Sequence, residues 1–255
     1  MIVVISPAKT LNFDIHPQTE IFSQPDFTSE AAGLIEVLRK YSPPRLQKLM
    51  GINSNLAQIN ASRFMDWNLP FGPENAKQAI LVFKGEVYNG LKAETLSESD
   101  LVYSQDHLRI LSGLYGALRP LDLMQPYRLE MGTKLKVKGK EDLYQFWGSK
   151  LTGHINALIE SASQKYLINL ASNEYFKTLN PKTLKAEIIS PTFKDYKNGT
   201  YKFITVYGKK ARGMMVRFII KNRIEEVEKL KLFDDDGYYY NHQLSEGNNW
   251  VFTRG

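Results

Sequence analysis

Cysteine is absent from all 255 residues. That excludes a disulfide framework, a thiolate zinc site, an iron–sulfur cluster and a cysteine nucleophile. No apolar run approaches the ~18 residues that a membrane-spanning helix needs. The opening residues 1–6 are apolar but brief, lack a basic leader and run straight into Pro7-Ala8-Lys9, so they do not read as a signal peptide. The expected location is the cytoplasm, with no membrane partner. Histidine is scarce: His16, His107, His154 and His242 are scattered, with no H-x-x-x-H or H-x-x-E spacing. Direct metal binding is therefore not expected. No glycine-rich Walker loop is present and no cofactor is assigned.

What remains is an ordinary globular composition, 43% hydrophobic and 24% charged, with enough apolar content to bury a core. Ile2, Val3, Val4 and Ile5 form a β-branched run closed by Ser6-Pro7, which predicts a buried strand. Residues 12–27 have no helical period and read as a loop. Three helices are expected across residues 29–63, broken at Pro43-Pro44 and Gly51. Further helices follow between residues 73 and 107, one capped by Ser97 with Glu98 and Asp100 in its first turn. Residues 108–111 read as a short strand and 142–161 as the longest helix. Strands are then expected at 166–170, 186–189 and 201–207, the last two separated by the turn signal Asn198-Gly199. A helix at 209–228 and a closing strand at 250–253 complete the pattern. No linker, repeat or low-complexity tract marks a boundary. The expectation is an α+β class, a single mixed domain of irregular topology over residues 1–255, rather than a doubly wound sheet.

Lys and Arg number 33 against 27 Asp and Glu, a formal charge of +6, but the distribution says more than the total. Residues 201–223 carry seven bases (Lys202, Lys209, Lys210, Arg212, Arg217, Lys221, Arg223) and no acid. Residues 107–140 carry a surplus of five, whereas residues 224–236 are acidic. At 100° per residue, Lys210, Arg217 and Lys221 fall along one side of a helix and Met214, Met215, Phe218 and Ile219 along the other. Solvated helix faces usually mix both signs in i,i+4 pairs. A segment without acids therefore points to an anion-binding surface, the plain alternative being a solvated face.

Residues 43–64 read as two short helices joined by a tight turn, with Lys48, Gly51, Ile52, Asn53 and Ser54 at its tip. Gly51 allows positive φ and close approach, and Asn53 or Ser54 can cap the second helix. Free amides at that helix start suit a phosphate. The segment is similar to the helix-hairpin-helix of DNA repair proteins, with Asn53 where a second glycine is usual. A plain αα-hairpin is the competing reading.

Several blocks together carry a family resemblance. Ile5-Ser6-Pro7-Ala8-Lys9-Thr10-Leu11, Phe83-Lys84-Gly85-Glu86-Val87-Tyr88 and Leu111-Ser112-Gly113-Leu114-Tyr115-Gly116 are followed by Arg119-Pro120-Leu121-Asp122 and Pro126-Tyr127-Arg128-Leu129-Glu130-Met131. Asn169-Leu170-Ala171-Ser172 and Lys209-Lys210-Ala211-Arg212-Gly213 complete the set. In this order they resemble the YaaA peroxide stress resistance family over nearly the whole chain. The resemblance implies a bacterial cytoplasmic protein induced under peroxide stress, linked to lower free intracellular iron and to DNA repair. It also implies an unusual mixed fold with a positive cleft, a helix-hairpin-helix element, and binding of duplex and branched DNA. The expected partner is DNA as duplex, bubble or junction, held by its phosphates without sequence readout. Lys48, Gly51, Ile52, Asn53, Ser54, Lys209, Lys210, Arg212, Arg217 and Lys221 are the expected contacts.

A rival chemistry is an enzyme acting on a small anionic substrate in the same basic cleft. Ser6-x-x-Lys9 fits a serine–lysine nucleophile pattern, the alternative being a strand-end turn with Lys9 facing solvent or phosphate. Ser6, Lys9, Lys84, Arg109, Arg119 and Arg128 are the candidate cleft residues. Glu86, Glu130 and Glu174 read either as acid–base groups or as partners of nearby Arg. Tyr115, Tyr127, Tyr144 and Trp147 read as base-stacking groups or as core. Asp234-Asp235-Asp236 reads as hard oxygen ligands or as a hydrated turn.

Overall fold

Strand β1 (Ile2–Ile5) is buried along its whole length, which explains its unbroken apolar run: a central parallel strand is covered on both faces. The computed structural model describes every residue except His16 and Gln18. After β2 (Thr10–Leu11) and a long loop come α1 (Thr28–Leu38), α2 (Pro43–Met50) and α3 (Ser54–Asp66), the three helices expected from the apolar spacing. Next are β3 (Lys77–Gln78), α4 (Ala79–Val82), β4 (Phe83–Lys84) and α5 (Glu86–Leu91). Helix α6 (Glu98–His107) starts in a capping box in which Ser97 and Asp100 each bond the other's backbone. The chain continues through β5 (Leu108–Ser112), β6 (Gly116–Leu118), β7 (Leu123–Met124) and α7 (Leu143–Ser161), whose N-cap Asp142 accepts from the Gln145 amide. The last third holds β8 (Tyr166–Leu170), α8 (Asn173–Phe176), β9 (Glu187–Ile189), β10 (Thr192–Lys197), β11 (Thr200–Lys202), α9 (Thr205–Lys221), β12 (Tyr239–Tyr240) and β13 (Val251–Arg254).

The class is α+β, with helices and several mixed sheets. The main sheet runs β6-β5-β1-β8-β9 and the second β11-β10-β13-β12, beside the two-stranded pairs β2-β4 and β3-β7. In the main sheet β5, β1, β8 and β9 are parallel and only β6 is antiparallel. Strand β1 therefore sits between β5, formed earlier, and β8, formed later. Buried apolar side chains contributed along the chain, from Met1 to Phe252, form one contiguous core.

Two expectations in the last third are corrected. The Asn198-Gly199 turn joins β10 to β11, not the strand at 187–189; both turn residues have positive φ, 53° and 80°, as a two-residue hairpin requires. The predicted strand at 201–207 stops at Lys202, and the helix placed at 209–228 runs instead from Thr205 to Lys221. Thr205-Val206-Tyr207 has strand-like propensity, but packing between α9 and α5 decides the outcome. A Cβ on Gly213 would lie 1.7 Å from the Val87 carbonyl oxygen, and one on Gly90 would lie 2.0 Å from the Lys210 carbonyl oxygen. Only glycine allows two backbones so close. Arg223, with φ 49°, ends the helical run.

Candidate functional site

The chain leaves β1 toward β5 on one side and later returns to place β8 on the other. That makes β1/β8 the point where strand order reverses, and open parallel sheets form ligand crevices outside the carboxyl ends of strands at such points. Ser6 follows β1 directly, and Ala171-Ser172 follow β8. Pro7 has no amide hydrogen, so it cannot extend the ladder. The Ser172 amide donates to Ser6 Oγ at 2.8 Å, and Ser6 Oγ donates to Ser172 Oγ at 3.1 Å. The Tyr88 hydroxyl, on α5, donates to the Ser6 carbonyl at 3.1 Å. These bonds pin the two strand ends at the floor of a crevice of about 670 Å³.

Four cations from three segments line it: Lys9 after β1, Lys84 in β4, and Lys209 and Arg212 on the first half of α9. Its three acids, Glu86, Glu130 and Glu174, have partners of their own. Asn89 Nδ2 donates to Glu86 at 3.3 Å, and the Gly132 amide donates to Glu174 at 3.0 Å. Glu130 pairs with Lys9 at 2.7 Å and Arg128 at 3.1 Å. By contrast, the side chains of Lys84, Lys209 and Arg212 make no hydrogen bond or ion pair with any described residue. Burial lowers the Arg212 guanidinium pKa below its ordinary value, as expected of a partly desolvated cation with no anion beside it. Burial also raises the Tyr88 and Tyr175 phenols, which line the crevice as neutral hydroxyls.

The other expected cleft residues separate. Arg128 borders a small adjoining pocket with Lys9 and Glu130. Arg109 and Arg119 lie outside the crevice. Arg109 is only 4% exposed, donates to the Gln105 and Leu108 carbonyls, and has its pKa lowered to about 10 by burial, against the pull of Asp122. Arg119 pairs with Asp122 at 3.0 Å and Asp26 at 3.4 Å, and Asp26 also lies 3.8 Å from His154. Glu130 is an Arg and Lys partner, the plainer of its two readings. Tyr115, Tyr127 and Trp147 are buried in the core. Tyr144 is half-buried and donates to the Glu174 carbonyl at 3.1 Å.

Acids from elsewhere in the chain meet other bases of the 201–223 segment. Lys221 pairs with Asp100 at 2.9 Å, Arg223 pairs with the same carboxylate at 2.9 Å, and Lys210 lies 3.5 Å from Asp236. Arg217 donates to the Leu91 and Lys92 carbonyls at 3.1 Å each, capping the end of α5. The acid-free segment is therefore partly compensated in three dimensions; among the described residues no partner meets Lys202, Lys209 or Arg212, and of these Lys209 and Arg212 line the crevice. Asp236 also pairs with Arg254, so this acidic turn holds cations of the protein itself. Among the described residues no three His, Asp or Glu side chains converge on a metal-sized site; His16 lies outside those residues.

At the hairpin, Gly51 caps α2 in the left-handed region with φ 61°. Asn53 is extended rather than left-handed, and its side chain accepts from the Leu56 amide at 2.8 Å. Ile52 is buried, while Lys48, Gly51, Asn53 and Ser54 are exposed. The geometry is that of an αα-hairpin with one helix-start donor already capped by the protein. Sequence reasoning missed the Ser6–Ser172 contact; its signal was that each serine follows within two residues of an apolar strand.

Fold and site define an α+β protein with a crevice at a strand-order reversal, lined by four cations from three segments. A family model described as peroxide stress protein YaaA matches residues 1–244. A UPF0246 protein of Aliivibrio fischeri is 54% identical over 254 residues, covering 100% of this chain and 98% of that protein. Others from Azoarcus and Ralstonia nicotianae are each 52% identical, covering 100% of this chain and 99% of theirs. The chain belongs to the YaaA peroxide stress protein family. None of its described helices is long and apolar enough to cross a membrane.

Proposed function

We propose that this peroxide stress protein binds DNA through its phosphate backbone, without reading sequence, at the mouth of the crevice. One observation supports the reading: Lys84 on β4 and Lys209 and Arg212 on α9 meet at one concavity, and their side chains have no partner among the described residues. A phosphate gains their full attraction, because no existing ion pair has to break. Lys221, Lys210 and Arg217 are already engaged, so they contribute less than their number suggests. Lys48, Gly51, Ile52, Asn53 and Ser54 at the exposed hairpin form a second backbone contact. The contribution to peroxide resistance is then made on DNA, as cover or in repair, and any effect on free iron is indirect.

The test is fluorescence anisotropy with a labelled duplex across a salt series. Each phosphate neutralised contributes about 0.9 to the log–log slope. The triple variant K84Q/K209Q/R212Q lowers the slope by about 2 to 3 and weakens binding at every sequence. An unchanged slope overturns the reading. A second reading, a small phosphorylated substrate, is favoured by the paired serines on the crevice floor. It predicts that a mononucleotide displaces the duplex and that Ser6→Ala abolishes rescue of peroxide-sensitive cells while duplex affinity stays within twofold.

A further inference from the structure

The crevice holds charges of both signs that do not pair with each other. Among the described residues Lys84, Lys209 and Arg212 have no side-chain partner. Glu86 and Glu174, half-buried in the same lining, each accept one bond, from Asn89 Nδ2 and from the Gly132 amide. Each keeps a second carboxylate oxygen with no partner among the described residues. Opposite charges that share a concavity and stay apart suit a ligand that is anionic at one end and offers N–H donors at the other.

The lining also has apolar surface, from Val87, Leu170 and Phe203. Phe203 is 46% exposed, and its ring rests on the backbone of α9: a Cβ on Gly208 would fall 2.4 Å from Phe203 Cε2. Glycine at that position therefore seats the ring beside Lys209 and about one turn before Arg212. An aromatic ring left open next to phosphate-binding cations is a stacking surface for a flat heterocycle. The volume of about 670 Å³ lies within the ~300–1,000 Å³ of pockets that enclose one small molecule, and it leaves a double helix outside.

We propose that the crevice takes a single nucleotide unit, with its phosphate on Lys84, Lys209 and Arg212, its base stacked on Phe203, and the N–H edge of that base on Glu86 or Glu174. The inference rests on the phosphate-binding reading above and names the unit that enters. Guanine is the preferred base, because its adjacent N1–H and N2–H donors meet one carboxylate with two bonds, whereas thymine presents a single N–H. Two sources offer this unit: a free mononucleotide, or a nucleotide extruded from a duplex lying across the mouth, as in enzymes that draw one base out of the stack.

Calorimetry with deoxyguanosine and thymidine 5′-monophosphates tests the site. A duplex carrying one 2-aminopurine, whose fluorescence rises when it leaves the stack, tests the source. The proteins are the wild type, F203A, F203W, E86A/E174A and K84Q/K209Q/R212Q, each with unchanged circular dichroism. The wild type is expected to bind deoxyguanosine monophosphate at one site, about tenfold tighter than thymidine monophosphate. F203A loses about tenfold affinity for both nucleotides and F203W retains it; E86A/E174A loses the preference for guanine, and the charge variant binds neither. A fluorescence rise that F203A abolishes assigns the nucleotide to DNA, whereas mononucleotide binding without a rise assigns it to the free pool; both support the site. Wild-type behaviour in F203A and E86A/E174A overturns the proposal, as does a wild type that neither binds mononucleotide nor raises the fluorescence. If duplex binding persists in that last case, with its salt slope still lowered in the charge variant, the DNA reading survives alone; if it is lost as well, both fall.

Discussion

Asp100 joins two helices that are far apart in sequence, and its removal has a calculable effect. Its residue is 4% exposed. Its carboxylate accepts from the Ser97 amide at 3.0 Å, from Lys221 at 2.9 Å and from Arg223 at 2.9 Å. Burial alone would raise its pKa, but the bonds from Lys221, Ser97 and Arg223 outweigh burial and hold the carboxyl well below the usual carboxylate range. Asp100→Ala removes the reciprocal half of the capping box, about 1 kcal/mol. It also leaves two cations without their anion. Breaking a buried pair typically costs about 3–5 kcal/mol, but Lys221 and Arg223 are 45% and 38% exposed and rehydrate, so this part is discounted to about 1–2 kcal/mol. The expected loss at pH 7 is about 2–3 kcal/mol, read as a lower urea midpoint at constant m-value. Because the native pKa is depressed, the stabilisation is complete above the unfolded-state pKa near 4 and fades as pH falls below it. The gap between wild type and variant must therefore narrow toward pH 3. A loss under about 0.5 kcal/mol at pH 7, or a gap that widens on acidification, refutes the clamp.

Two further outcomes follow from the packing and the half-buried histidines. Gly213→Ala places a methyl 1.7 Å from the Val87 carbonyl oxygen and 2.8 Å from the Leu91 amide, so α9 and α5 must separate; the variant is expected to lose more than about 3 kcal/mol or to fail to accumulate in soluble form, read by thermal shift. The His154 pKa is lowered by burial and by Arg109, against the pull of Asp26, and the His107 pKa is lowered by burial, against its contact with the Met1 carbonyl. The unfolded chain thus binds more protons below about pH 6.5 and stability falls from pH 7.5 to 5.5; His154→Gln flattens part of that slope, and an identical slope in the variant removes His154 as a cause.

Local signals made much of the architecture legible. The apolar run at Ile2–Ile5, the breaks at Pro43 and Gly51, Ser97 and Asp142 as caps, and the Asn198-Gly199 turn all occur where their residues indicate. Each depends on contacts within a few residues. The errors fell where distant partners intervene. Thr205-Val206-Tyr207 is helical because α9 docks backbone to backbone on α5, and β10 escaped notice because it is completed by β13, more than fifty residues later. Arg109, read as a cleft cation, is buried against backbone carbonyls supplied by the end of its own helix and strand.

The sequence by itself determined the absent chemistries, the family, the α+β class and the clustering of positive charge, since these depend on which residues occur and how they are spaced. Only the tertiary structure decided which of those charges are free. Coulomb attraction acts through space, and Asp100 and Asp236 reach α9 from other parts of the chain to neutralise one stretch of it. Lys84, Lys209 and Arg212 meet no such partner among the described residues, where the reversal in strand order opens a crevice.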